Sequence, residues 1–347
     1  MIHSTDMHGT ETYQSSTNTE KISIRVLNGF DDPAFTESHW MKLQQTGDTD
    51  AVNMTWAWQR LWWKAFGRGR LMLILALCEN EPVALAPLFT EAGMIYNICP
   101  KDCLDFIGDV SNPSILDAIL QTAIKQVANF KGFVFYFIPG TSRTGKLLHD
   151  ASLRLNLSCY DQGSLPTPFL YIAEHLDAAI EITRKKSLRR HENYFLREGS
   201  LEILHLQKAE DILPHLDEYF EQHITRRKAT TAPSLFINAE QQEYYRCLTK
   251  ELSETGWLRF TRINWNGKAI AFHYGLAYKG RYLYGIPSFA IELANHSPGE
   301  VLLRQLLLAA IKEGAATFDF GIGDESYKYR FATHATQLHT WGLYPGQ

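Results

Sequence analysis

No run of apolar residues approaches the length of a membrane-spanning helix, so the chain is not expected to cross a bilayer. An excess of positive charge is missing too. The 34 Lys and Arg against 38 Asp and Glu leave a formal net charge of −4, which argues against DNA as a partner while leaving room for a local basic patch. Cysteine is scarce: Cys78, Cys99, Cys103, Cys159 and Cys247 are odd in number and lack a second ligand pair at zinc spacing. Reduced, mostly buried thiols and no metal are therefore expected. The first twenty residues have no apolar core and are rich in Ser, Thr, His and Glu, which suits neither a secretory signal nor an anchor; it predicts a disordered tail over 1–20 and a cytoplasmic protein. What remains, 45% hydrophobic and 21% charged over 347 residues, is the composition of a soluble globular chain with room for two domains.

The stretch 295–331, NHSPGEVLLRQLLLAAIKEGAATFDFGIGDESYKYRF, organises the rest. Ser297 is placed to cap a helix, Pro298 falls at the first position, and Glu300 at the third can reach back to complete a capping box. The body, 301–311, is apolar on nearly every side, so it should lie against a sheet and be covered by other elements, and Gly314 ends it. Residues 317–321 alternate around Phe318 and Phe320 with Asp319 facing the other way, which predicts a short strand. In such an order the helix start offers N–H groups and partial positive charge at the carboxyl edge of a sheet, a place suited to phosphate, and Gly299 would let a ligand approach the backbone. Beyond the strand, Asp324, Glu325, Tyr327, Lys328 and Tyr329 crowd one loop. A plain capped helix start and an Asp319–Lys328 surface pair are the competing structural explanations.

Upstream, 22–27 reads as a strand, 34–45 and 56–66 as helices, and 71–77 with 83–89 as a hairpin. Trp56, Trp58, Trp62 and Trp63 have helical spacing that favours core over a sugar-binding surface. A strand over 103–107, the loop Ser111-Asn112-Pro113, a helix over 114–129, Gly132 and an aromatic strand over 133–138 repeat in kind the order seen at Ser297. An internal duplication follows, whose first copy has Pro139-Gly140-Thr141 in place of the charged loop and is expected to keep the fold without the chemistry. Residues 163–168 read as a linker. Then come a basic helix over 176–197, a strand over 201–206, helices over 212–228 and 238–254, and a meander over 257–263, 268–277 and 282–286.

The pattern SPGxxLL, a helix, then FDFGxGDExYKxRF resembles the C-terminal signature of the CelD-like acetyltransferases associated with cellulose biosynthesis, a branch of the GNAT superfamily related to the Fem peptidyltransferases. Further matches are Lys186 to Arg190, His223 to Arg227 and Asn266 to Ala271; the resemblance spans the chain from about Lys21 and is most specific in its last third. It implies an α/β fold of two tandem GNAT-like domains, mixed sheets flanked by helices: a degenerate one over 21–165 and an acyltransferase domain over 166–347. The implied activity is direct transfer of an acyl group from acyl-CoA, acetyl-CoA first, to an amine or hydroxyl of a small-molecule, sugar or peptide acceptor, in polysaccharide biosynthesis. Asp319 and Glu325 are the candidate bases, and Lys328 matches a lysine that in Fem-type enzymes stabilises transition-state charge. Ser297, Pro298 and Gly299, standing in for the Gln/Arg-x-x-Gly-x-Gly/Ala loop of other GNAT enzymes, together with Arg189 and Arg190, are the candidates for CoA. His223, Arg226, Arg227, Tyr284 and Tyr327 are the candidates for the acceptor. Three other readings stand beside this one: a nucleic-acid module built on the basic helix, a Fem-like transferase fed by aminoacyl-tRNA, and a non-catalytic accessory of polysaccharide synthesis, with peripheral membrane association open.

Overall fold

The computed structural model describes residues 11–13, 21–27, 29–99 and 102–346. In chain order the elements are β1 (Glu11–Tyr13), β2 (Ile22–Leu27), α1 (Glu37–Gln44), α2 (Trp56–Phe66), β3 (Arg70–Cys78), β4 (Glu81–Glu91), β5 (Met94–Asn97), β6 (Ile107–Gly108), α3 (Pro113–Lys125), β7 (Gly132–Pro139), α4 (Thr144–Arg154) and β8 (Leu157–Tyr171). There follow α5 (Leu176–Thr183), α6 (Lys186–Glu198), β9 (Leu201–Leu206), α7 (Ala209–Ile212), α8 (Leu216–Arg227), α9 (Ala239–Glu251), β10 (Leu258–Trp265), β11 (Lys268–Tyr278), β12 (Arg281–Phe289), α10 (Pro298–Lys312), β13 (Thr317–Asp319) and β14 (His334–Pro345). They form two compact units: Met1–Leu165 with Thr336–Gln347, and Pro166–Ala335. The C-terminal segment, expected to end the second domain, belongs to the first unit.

In unit 1 the strands run β1-β2-β3-β4-β5-β7-β14, with β6 on β4. Every pairing is antiparallel except β5 with β7. β3 is apolar from Leu71 onward because both its faces are covered. Met72, Ile74 and Ala76 pack with Ile115, Leu116 and Ile119 of α3, while Leu73, Leu75 and Leu77 pack with Trp40, Met54 and the tryptophans of α2. Those tryptophans are core: Trp58 is buried, and Trp62 and Trp63 lie against Phe89.

Unit 2 repeats the plan, β8-β13-β12-β11-β10-β9, with β12 and β13 as its parallel pair. Each unit is a mixed sheet flanked by helices. α10 buries Val301, Leu302, Leu303, Leu306, Leu307 and Ala310 against one face, with α5 and α6 outside it. α8 and α9 cover the other, with Tyr219 on Phe260 and Phe272 and Tyr245 on Tyr274.

Several expectations are corrected. The supposed linker 163–168 lies inside β8, since Pro166 and Pro168 lack an N–H but still accept, from Gly323 N–H at 2.9 Å and Phe320 N–H at 3.0 Å. The basic helix over 176–197 is two helices, broken at Lys185, whose ψ of 132 leaves the helical region. The strand at 103–107 shrinks to β6. Of the five thiols Cys99 is buried and the others are half-buried. Within the tail 1–20, Glu11–Tyr13 pairs with β2, and the remainder lies outside the described residues. No helix among the described residues is long and apolar enough to cross a membrane.

Candidate active site

Parallel strands β12 and β13 share three rungs, Arg281 with Thr317, Tyr282 with Phe318 and Leu283 with Asp319, and then part. Beyond the last rung Phe320 N–H turns to Pro168 of β8, while the carbonyls of Ile286 and Pro287 on β12 are taken by Tyr219 (2.9 Å) and Arg226 (2.8 Å) of α8. The two parallel strands therefore diverge at their carboxyl ends, near the start of α10. Ligands of α/β proteins commonly bind at such a place.

The loop that follows β13 is held from within. Asp319, buried, accepts from Gly321 N–H at 2.8 Å through one oxygen and from Arg281 Nε at 2.8 Å through the other. Lys328, 3% exposed, spends its ammonium on the carbonyls of Gly321 (3.2 Å) and Ile322 (2.8 Å) and on Glu325 Oε2 (2.8 Å). Gly323 allows this closeness, because a Cβ there would lie 2.4 Å from that same Glu325 oxygen. Asp319 and Lys328 therefore clamp one residue from both sides. They do not form the surface pair that stood as the competing explanation, and the polar atoms of Asp319 are held by Arg281 and Gly321 rather than arranged as a base.

Tyr327 shares a hydrogen bond with Tyr284 of β12. Burial pushes the Tyr327 phenol up to about 12, the nearby Glu325 charge adds to this, and Arg226 and Arg227 oppose it. Tyr284 is raised too, chiefly by burial. Burial also works to raise the Glu325 carboxyl, but Lys328 and Arg227 bring it below the usual range, so it is ionised at neutral pH. Arg227 is half-buried and its Nε has no hydrogen-bond partner among the described residues, while Arg226 lies 4.2 Å over the ring of Phe289. Tyr284, Tyr327, Glu325, Lys328, Arg226 and Arg227 thus meet from β12, the loop after β13, and the last turn of α8.

Other expected site residues lie elsewhere. His223 is core: 2% exposed, bonded to Ser234 Oγ at 2.7 Å, edge-on to Phe236, and depressed to about 4 by burial. Ser297 adopts a left-handed conformation (φ 55) and makes no side-chain cap, so the capping box does not form. Glu300, its intended partner, accepts instead from Arg330 at 2.9 Å and lies 3.6 Å from His191. Gly299 is filled by the protein's own Phe289, whose ring would come within 3.0 Å of a Cβ. With that ring over Gly299 and a carboxylate in the first turn, Ser297, Pro298 and Gly299 do not make an open phosphate cradle. Arg189 and Arg190 stand exposed on α6.

Two contributors had no sequence signal. Arg281, which anchors Asp319, follows an ordinary turn. His273 of β11 is fully buried, stacks 5.5 Å from Tyr284 and accepts from Gly285 N–H at 3.2 Å, beside the bulge opposite Gly275. Burial depresses it to about 3, so it is neutral. Among the described residues no cluster of His, Cys, Asp or Glu could hold a metal ion.

A family model described as an acetyltransferase (GNAT) domain matches residues 183–329, from the end of α5 through Tyr329. No curated protein matches the chain in sequence. Among solved structures, FemX is similar with a TM-score of 0.64 at 12% identity, over 90% of this chain and 96% of that one. L-PGS from Bacillus licheniformis gives 0.55 at 12%, over 92% and 94%. A tandem GNAT protein from the clavulanic acid biosynthesis pathway gives 0.50 at 13%, over 94% and 99%. At such identities the likeness is one of fold: two GNAT-like units in tandem, the second carrying the acetyltransferase match.

Proposed function

We propose that unit 2 is an acyltransferase that moves an acyl group directly from an activated donor to an amine or hydroxyl. The observation that carries this is the meeting of an ionised Glu325, a protonated Tyr327 and the half-buried Arg227 where the two parallel strands part. A nucleophilic N–H or O–H would lose its proton to Glu325 as it attacks the acyl carbon. The C–S or C–O bond to the carrier then breaks, and the departing atom takes the proton of Tyr327, which Tyr284 holds in place. A phenol near 12 is protonated at neutral pH, so its proton is available to the departing atom. Asp319 and Lys328 act here as positioning residues, because their polar atoms are committed to the loop.

The donor divides the reading in two. Acyl-CoA, acetyl-CoA first, is favoured by the GNAT domain match. A Fem-like aminoacyl-tRNA donor is favoured by the likeness to FemX over nearly the whole chain and by the absence of an open cradle at Ser297. The acceptor class, small molecule, sugar or peptide, and a place in polysaccharide synthesis stand as expectations. Incubation of the protein with acetyl-CoA and with aminoacyl-tRNA, reading thermal stabilisation and hydrolysis or transfer of the acyl group, tests the proposal. Stabilisation by one donor with slow acyl loss is the expected result; no response to either, over a wide concentration range, would remove the enzymatic reading and leave the accessory one.

A further inference from the structure

The cations at the start of α6 are unfavourable to the helix that carries them. Arg184 precedes it, Lys185 caps it, Lys186 is its first residue, Arg189 and Arg190 follow within the next turn, and the first turn holds no acidic residue. A helix N-terminus carries partial positive charge and suits carboxylates, so this placement works against folding. Local compensation is incomplete. Arg184 pairs with Glu181 at 2.7 Å and Lys185 donates to the Arg330 carbonyl at 2.5 Å. Lys186, Arg189 and Arg190 are exposed and have no partner among the described residues. In a chain of net charge −4, three unpaired cations on one end of one helix are a local concentration that stability does not explain.

The helix is nonetheless firmly seated. Leu188 and Phe195 are buried, and Glu192 accepts from Arg304 and Gln305 of α10. The basic end also borders the candidate active site. Arg330, which Lys185 contacts, reaches Glu300 in the first turn of α10 and lies two residues beyond Lys328.

We propose that the basic start of α6 binds the phosphates of a nucleotide-borne acyl donor. This rests on the acyl-transfer reading and gives α6 the phosphate grip that Ser297, Pro298 and Gly299 do not form. Phosphates supply the anions this helix start lacks, and guanidinium groups bind them in bidentate fashion. The phosphates of CoA and the backbone of an aminoacyl-tRNA share this chemistry. An anionic bilayer fits less well, since the exposed apolar side chain of α6, Leu196, lies well along the helix from the three cations and offers no insertion face beside them.

The test is the triple variant Lys186→Glu, Arg189→Glu, Arg190→Glu, with CoA binding by calorimetry and tRNA binding by filter retention at several salt concentrations. One ligand should bind the unaltered protein, and the variant should lose at least about tenfold in affinity, with a salt dependence shallower by about three charges if the ligand is tRNA. The variant should melt no lower than the original, and acidic residues at the helix start favour a rise. Loss of CoA binding identifies CoA, and loss of tRNA binding identifies tRNA. Unchanged affinity, no binding of either ligand to the unaltered protein, or a lowered melting temperature accompanying the loss would each overturn the proposal. So would capture by phosphatidylglycerol vesicles through these three residues with neither nucleotide ligand needing them. A protein that binds its donor through α6 yet transfers nothing would remove the acyl-transfer reading and leave the binding surface standing.

Discussion

Matched on their three parallel rungs, the two units place Phe133 with Phe318, Val134 with Asp319, Tyr136 with Gly321 and Asn97 with Tyr284. In unit 1 the Asn97 side chain accepts from Tyr136 N–H and donates to the Tyr136 carbonyl, each at 3.0 Å, so a side-chain amide adds one more rung and the strands stay joined. In unit 2 the same two backbone groups, those of Gly321, are satisfied by Asp319 and Lys328 from their own strand and loop. The neighbouring strand is released, and Tyr284 is available to Tyr327. Closure and opening of a parallel pair thus depend on which side the buried backbone groups find their partners. Unit 1 has a buried carboxylate too, Asp105, but Thr49, Ser142, Thr144 and Phe106 N–H surround it at 2.6–2.9 Å, a structural hub rather than a base.

The largest expected difference between the units is kinetic. Glu325→Gln should lower turnover by about 10²–10⁴-fold with donor affinity kept, whereas Asn97→Ala should leave turnover unaltered. Comparable losses from both would break the division of labour. Next is Lys328→Met, which leaves two loop carbonyls and Glu325 without their donor. A destabilisation of about 2–4 kcal/mol is expected, with loss of amide protection centred on 319–331 in hydrogen exchange. Global stability unchanged in urea would show that the loop does not need its clamp. Asn97→Ala strands the two buried backbone groups of Tyr136 and should cost about 1–3 kcal/mol, with lost protection confined to β5 and β7.

A further expected difference concerns pH. His223 at about 4 and His273 at about 3 lie below the ordinary value of about 6.5, so in that window the unfolded chain binds protons that native unit 2 does not. Unit 2 should lose stability as pH falls from about 6.5 toward about 3. Asp105, raised by burial, acts oppositely: its contribution to unit 1 is full below about 3.9 and lost as pH rises through its native value. Hydrogen exchange at neutral pH and near pH 5, corrected for intrinsic rates, should show protection falling more in unit 2 than in unit 1. An equal fall would contradict this assignment.

Local patterns made much of the fold legible. The bounds of α2 and β9 follow from apolar spacing, and the α10 body with its Gly314 stop from periodicity and a glycine. The shared plan of the two units showed in the order of elements, because each unit must bury the same two faces. What stayed hidden depends on partners far along the chain. β14 has no strong alternation and is fixed by β7, and β8 carries prolines whose carbonyls matter more than their missing N–H groups. Glu300 reads as half of a capping box until Arg330 claims it, and Asp319 reads as a base until Arg281 and Gly321 do. The loop Glu325–Lys328 announced itself by its crowd of ionisable groups, but which of them are committed to the backbone is a matter of geometry.

The most direct test of the chemistry proposed for unit 2 is the single-turnover rate of Tyr327→Phe with donor bound. A fall of about 10² or more with unchanged donor affinity is the predicted result, since the departing atom then has no positioned proton. A rate equal to that of the unaltered protein would contradict the account and return the Tyr284–Tyr327 pair to a packing role.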